Sequence, residues 1–227
     1  MTRIHAILLA GGTGQRMGSP IPKQYLLLQN QPISLYSAKI LERMPDMESL
    51  TIVCAPEFQS LFQDALLKIP LQFAQPGKRR QDSLENGLLT LSQDGLVVVH
   101  DAARPLVTTT LIQKVLKTAQ EKGAAAAALP VKGTIRRSGA DGLAVQTLDR
   151  SSLWEMQTPQ IAPLSWLKKG LVIAKERKRE ITDELEILEL AQYPSYLVLG
   201  EEQNFKITTP ADLSLAEAWL SRCTTIS

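Results

Sequence analysis

Apolar residues recur along this chain in two rhythms that alternate. Short, mostly apolar runs occupy Ile4–Leu9, 49–55, Leu71–Ala74 and 96–100, each about the length of one strand. Runs without polar alternation predict strands covered on both faces, as in a parallel sheet packed by helices. Between them the apolar positions fall at helical spacing, predicting helices over 33–44, 57–67, 84–91, Thr109–Lys122 and 164–178. Gly123 reads as the cap that ends the fourth of these. The alanine run 124–128 has helical propensity, but Gly123 breaks before it and Leu129-Pro130-Val131 follows, so it predicts a buried strand closely packed by helices. Thr182-Asp183-Glu184 opens a further helix with a cap and first-turn acids, Tyr196–Leu199 reads as a last strand, and Thr209-Pro210-Ala211-Asp212 opens the C-terminal helix. One segment breaks the pattern. Residues 134–138 and 143–148 alternate polar and apolar positions around Gly139-Ala140-Asp141-Gly142, which predicts a β-hairpin. The reading is one α/β domain over 1–227, a single Rossmann-like, mostly parallel sheet with helices on both faces, with a protruding arm over 132–153. A protruding hairpin most often serves dimerisation, so a homodimer is expected.

The first strand feeds the stretch Leu8-Leu9-Ala10-Gly11-Gly12-Thr13-Gly14-Gln15-Arg16-Met17-Gly18, which continues to Pro22-Lys23-Gln24-Tyr25. Glycines let backbone N–H groups approach a ligand closely, and a strand-to-helix turn of this kind suits anions. Arg16 and Lys23 add two cations. The loop is not a Walker loop, because no Gly-Lys pair precedes a Ser or Thr. It is not the dinucleotide fingerprint either: Met17 stands where the third glycine belongs, and Gly18 comes one place late. A plain turn without a ligand needs neither two cations nor three glycines, so a polyphosphate loop of a third kind is expected.

Two other loops follow predicted strands. In Pro76-Gly77-Lys78-Arg79-Arg80-Gln81-Asp82-Ser83 the three cations have two readings, a solvated face or the lining of a phosphate pocket, and Ser83 sits near a helix start. In His100-Asp101-Ala102-Ala103-Arg104-Pro105, Asp101 lies at the carboxyl end of a buried strand, where open α/β sheets bind ligands. It is a candidate ligand for a divalent cation beside phosphates; pairing with Arg104 or the loop amides is the competing reading.

Composition narrows the classes. A net charge of +2 argues against general nucleic-acid binding. No apolar run reaches membrane-spanning length, and the N-terminus lacks the pattern of a signal peptide. The two cysteines are far apart without metal spacing, consistent with a cytoplasmic thiol protein. The two histidines, His5 and His100, leave little material for a histidine metal site or triad.

With these motifs in order, the chain resembles the 2-C-methyl-D-erythritol 4-phosphate cytidylyltransferase family of sugar-phosphate nucleotidyltransferases. The resemblance rests on the glycine loop with Arg16 and Lys23, His-Asp-Ala-Ala-Arg-Pro at 100–105, Thr134, Asp149-Arg150, Thr158-Pro159-Gln160, Ile181-Thr182-Asp183-Glu184 and Lys206-Ile207-Thr208. It implies CTP held by Ala10, Gly11, Gly12, Thr13, Gly14, Gly77, Ser83, Asp101 and Ala102. It also implies Mg²⁺ at Asp101, and an acceptor polyol phosphate held by Arg104, Thr134, Arg150, Thr158, Thr182 and Lys206. Arg16 and Lys23 are implied to stabilise the transition state, with Arg150 and Lys206 orienting the acceptor phosphate. The arm is implied to bring Arg150 to a partner's site. The chain departs from the family pattern at Lys78-Arg79-Arg80, Gln203 and Leu185. Two other readings are a ribitol 5-phosphate cytidylyltransferase and a non-catalytic nucleotide-binding regulator.

Overall fold

A computed structural model describes residues 2–12 and 17–224. Its central sheet is built from β1 (Ile4–Leu9), β4 (Met47–Val53), β5 (Leu71–Ala74), β6 (Leu96–Asp101), β7 (Ala125–Pro130), β10 (Trp154–Pro163) and β11 (Tyr196–Leu199). These seven strands lie in the order β11-β7-β10-β6-β1-β4-β5. Two short strands, β2 (Leu27–Leu28) and β3 (Gln31–Pro32), pair apart from it. All neighbours in the central sheet run parallel except β10, which is antiparallel to both β6 and β7.

Strand β1 is central and buried on both faces. Its period of two sends Ile4, Ala6 and Leu8 into one core, where they meet α1 (Ile33–Glu42) and α4 (Thr109–Lys122). Ile7 points into the other core, with Leu84 and Leu88 of α3 (Arg80–Leu89), Leu167 and Leu171 of α5 (Leu164–Glu176) and Ile187 of α6 (Glu184–Leu190). The same alternation divides β6, with Val98 on the first side and Val97 and Val99 on the second. The alanine run is a strand, fully buried from Ala124 to Ala128, so its small side chains let the layers approach closely. The C-terminal helix α7 (Pro210–Thr224) covers a smaller cluster of Leu28, Ile33, Ile207 and Ala216.

The arm is a two-stranded antiparallel hairpin of β8 (Ile135–Ser138) and β9 (Ala144–Leu148), exposed along its length. Among the described residues no helix is long and apolar enough to cross a membrane.

Several boundaries differ from the sequence expectation. The helix expected over 57–67 is a short turn at Pro56–Phe58 followed by α2 (Gln59–Gln63). Beyond it, Glu42 of α1 accepts the Lys68 amide at 2.6 Å, which draws the chain out of the helix. The helix expected over 84–91 begins four residues earlier, at Arg80, because Asp82 accepts the Arg79 amide at 3.1 Å and caps its first turn. Ser83 is therefore within the first turn of the helix, near its start as expected. Strand β10 was not expected, since its sequence is rich in Gln and Pro.

Candidate functional site

The sheet reverses its winding beside β1, with β4 on one side and β6 on the other. The register sets Leu9 opposite Asp101, so the glycine loop and the loop after β6 leave the sheet side by side. A crevice at such a reversal is where open α/β sheets bind ligands. Here it holds a cavity of about 440 Å³. Gly11, Gly12, Lys23, Gly77, Ser83, Asp101 and Lys206 line it, together with Leu9, Gln24, Lys78, Arg79, Arg80, Ala103 and Thr208.

Three loops build its walls by gripping one another. Gln24 donates to the carbonyls of Ala10 and Gly12, both at 2.7 Å, and the Tyr25 hydroxyl donates to Ala10 at 2.8 Å. The Lys-Gln-Tyr run thus ties the far end of the glycine loop to its start, and Lys23 is carried to the cavity wall. Gly11 lies against Pro76, and a β-carbon there would overlap the proline ring. Gly77 lies as closely against Asp82, and its amide donates to the Ser83 hydroxyl at 3.0 Å. Glycine at these two positions lets the second loop close onto both the first loop and its own helix.

Asp101 is the hub of the floor. One carboxylate oxygen accepts from Lys206 at 2.7 Å and lies 3.9 Å from Arg104; the other accepts from Arg80 at 3.3 Å. Burial alone would raise its pKa, but Arg80, Lys206 and Arg104 outweigh that and hold it well below the usual carboxylate range. Its backbone amide donates to the Thr158 hydroxyl at 3.1 Å. That hydroxyl lies 2.9 Å from Nδ1 of His100, whose Nε2 lies 3.2 Å from the Arg104 carbonyl. A carbonyl only accepts, so Nε2 carries the proton and Nδ1 accepts from Thr158. Burial pushes His100 down to about 4, so the ring is neutral at neutral pH.

The expected site residues fall into four groups. Gly11, Gly12, Lys23, Gly77, Ser83, Asp101 and Lys206 meet at the cavity. Ala10 and Ala102 are buried just behind its wall, the first through the carbonyl held by Gln24 and Tyr25. Thr13, Gly14 and Arg16 lie outside the described residues. Arg104, Thr134, Arg150, Thr158 and Thr182 do not line the cavity of a single chain. Arg104 is buried, donating to the carbonyls of Asn204 at 2.8 Å and Met156 at 3.2 Å. Thr158 is buried with its hydroxyl engaged on both sides. Thr182 is exposed and bonded to Glu186. Thr134 and Arg150 are exposed at the base of the arm, where Arg150 donates to the Lys132 carbonyl. The cations at 78–80 divide between the two readings: Arg79 is half-exposed and bonded to Asp82, while Arg80 is drawn into the floor by Glu184 and Asp101.

Sequence reasoning passed over Arg80 and Glu184 as a pair, and over the glutamines that brace the loops. The Lys-Gln-Tyr spacing was the one available signal for Gln24; nothing local links residues 80 and 184.

Fit to a divalent cation can be judged from the donors. Among the described residues no group of three or more His, Cys, Asp or Glu side chains is placed to hold a metal by itself. The single carboxylate of Asp101 at the cavity fits Mg²⁺, which is commonly held by one or two carboxylates with substrate phosphates and water.

The family model for 2-C-methyl-D-erythritol 4-phosphate cytidylyltransferase (IspD) matches residues 4–222. The chloroplastic 2-C-methyl-D-erythritol 4-phosphate cytidylyltransferase of Oryza sativa subsp. japonica is 43% identical over 217 residues, covering 94% of this chain and 73% of the rice protein. The Chlamydia pneumoniae protein of the same name is 41% identical over 97% of this chain and 100% of its own length. The crystal structure of 2-C-methyl-D-erythritol 4-phosphate cytidylyltransferase from Thermus thermophilus superposes with a TM-score of 0.77 at 30% identity, covering 94% of this chain and 97% of that one. With the cleft, its cations and the strand-end aspartate all lying within the matched span, the chain belongs to the 2-C-methyl-D-erythritol 4-phosphate cytidylyltransferase family.

Proposed function

We propose that the protein transfers CMP from CTP to 2-C-methyl-D-erythritol 4-phosphate, releasing pyrophosphate, in non-mevalonate isoprenoid precursor synthesis. The observation that carries this reading is a family match from residue 4 to 222 that spans a cleft lined by Lys23, Lys206 and Asp101. An oxygen of the acceptor phosphate attacks the α-phosphorus of CTP in line; the new O–P bond forms as the bond to the β-phosphate oxygen breaks. A phosphate dianion needs no general base, so positioning and charge neutralisation supply the catalysis.

The glycine loop offers amides to the triphosphate, and Lys23 is at the wall where charge on the α-phosphate would grow. Arg16 belongs to the same proposal. Lys206 orients the acceptor phosphate. Asp101 would hold Mg²⁺, which would neutralise phosphate charge. Thr134 and Arg150 lie beyond the cleft of one chain, so in this reading they serve the cleft of a second copy. The support is the apolar content of an exposed hairpin: Ile135, Leu143 and Val145 are 37%, 66% and 57% exposed. A cytoplasmic homodimer is part of the proposal; the buried Cys54 is a free thiol.

The test is pyrophosphate release with CTP and Mg²⁺, comparing methylerythritol phosphate with ribitol 5-phosphate. Release with the first acceptor alone is expected. Release with ribitol 5-phosphate alone would overturn the acceptor assignment.

A further inference from the structure

At the floor of the cleft a partly buried cation and a fully buried acid from distant segments meet. Glu184, at the start of α6, is 1% exposed. A carboxylate so deep is costly unless it is paired and hydrogen-bonded. Its partner is Arg80, the first residue of α3, which donates from Nη1 to Oε1 at 2.6 Å and from Nη2 to Oε2 at 3.1 Å. Such a two-pronged contact fixes a guanidinium in plane as well as in place. The same Nη2 also reaches Asp101 at 3.3 Å.

Glu184 is itself held. Its amide and that of Leu185 donate to Gln160 of β10 at 2.9 and 3.2 Å, and the Gln160 amide nitrogen donates to Asp183 at 3.3 Å. From the α3 side, Gln81 accepts the Ile181 amide at 2.7 Å. A run of bonds therefore leads from β10 through α6 and α3 to the hub aspartate at the end of β6.

We propose that Glu184 and Arg80 are positioning residues which set the Asp101 carboxylate in the cleft, with Arg80 bridging the two acids. A buried ion pair adds little net stability over apolar residues of the same shape, but it leaves a guanidinium that cannot swing, and that is the use made of it here. Of the three cations beside Asp101, the two that donate a hydrogen bond to it differ in character. Lys206 is 38% exposed on a flexible stem and can turn to an incoming anion, whereas Arg80 is anchored by both oxygens of Glu184. The anchored cation keeps one Asp101 oxygen fixed while the other is offered to whatever enters. This rests on the proposed reading of the cleft, in which Asp101 holds the metal beside CTP.

The test uses full-length protein and calorimetric CTP binding, with Mg²⁺ and with EDTA, alongside turnover. The discriminating variant is Arg80→Lys. A lysine keeps the charge beside Glu184 but has one nitrogen, which cannot grip both oxygens of Glu184 and still bridge to Asp101. The denaturation midpoint is expected to stay near wild type, while the Mg²⁺-dependent gain in CTP affinity falls at least tenfold. Glu184→Gln is expected to lower that gain similarly in the wild-type background and by less than about threefold in an Arg80→Met background, because it acts through Arg80. An Arg80→Lys protein with an undiminished Mg²⁺-dependent gain would overturn the proposal, as would equal losses from Glu184→Gln in both backgrounds. Because binding is read separately from turnover, a wild-type protein that binds CTP with Mg²⁺ but releases no pyrophosphate would count against the proposed reaction and not against the positioning pair.

Discussion

Acidification should destabilise this protein through His100, beside smaller contributions from His5 and from carboxylates such as Asp82, Glu186 and Asp212 that are held low in the fold. The perturbation is a pH change from 7 to 4. In the folded chain His100 is fully buried, with both ring nitrogens engaged, and burial holds its pKa at about 4 against an ordinary 6.5. The folded value lies below the unfolded one. As pH falls past 6.5 the unfolded chain gains a proton that the folded chain refuses, so stability is present above that pH and is lost on the way down to 4. With those two values, linkage gives a loss of about 2 kcal/mol at pH 5 and about 3 kcal/mol at pH 4. For a chain of this length about 3 kcal/mol corresponds to roughly 6–12 °C in Tm. Asp101, held low, loses its contribution only at lower pH, and Glu184, whose pKa burial raises against the pull of Arg80, acts in the opposite direction. The assay removes these and the other titrating groups by difference: denaturation midpoints of wild type and His100→Gln across pH 7 to 4. Glutamine supplies one donor and one acceptor but no titration. The wild-type curve should fall more steeply by about 3 kcal/mol. Parallel curves would refute the argument. The proton resonances offer a direct check, since His5 is the only other histidine.

Other outcomes follow from the same geometry. Lys23→Ala should cut pyrophosphate release by about 100- to 1000-fold, the cost of losing one transition-state donor, with circular dichroism unchanged; near-normal turnover would sink the proposed role. Gly77→Ala places a β-carbon inside contact distance of Asp82, so the loop must shift. About 1–3 kcal/mol of stability should be lost, with weaker CTP binding, measured by denaturant titration and calorimetry. Replacing residues 134–148 with a tight turn should convert the proposed dimer to a monomer in light scattering; a dimer that survives would exclude the arm as the interface.

What the sequence made legible is what local pattern controls. Strands β1 and β6 are mostly apolar because helices cover both their faces, and the rule that ligands gather at strand ends then marks Asp101. Strand β10 was illegible for a physical reason. Gln157, Thr158 and Gln160 are buried there as hydrogen-bonding braces, so polarity does not report exposure. The start of α3 lies four residues before the apolar pattern begins because Asp82 caps the Arg79 amide, and the run of cations there reads from sequence equally as a solvated face or a pocket lining. Lys206 entered through family resemblance alone. The structure shows why no pattern could supply it: its partner is 105 positions away.

The cleft also explains how a chain of net charge +2 can handle a triphosphate and a second phosphate. Among the described residues, Lys23, Lys78, Arg79, Arg80 and Lys206 line it against one lining carboxylate, Asp101. Recognition therefore comes from local placement, where low-dielectric walls focus the field, and not from a basic surface. Those cations are not equivalent. Arg79 and Arg80 are committed to Asp82 and Glu184 and shape the walls. Lys206 is committed to Asp101 through a single bond at the cavity edge. A phosphate that enters the cleft competes with Asp101 for Lys206 far more easily than it competes with Glu184 for Arg80, because displacing the second would leave a fully buried acid without its partner.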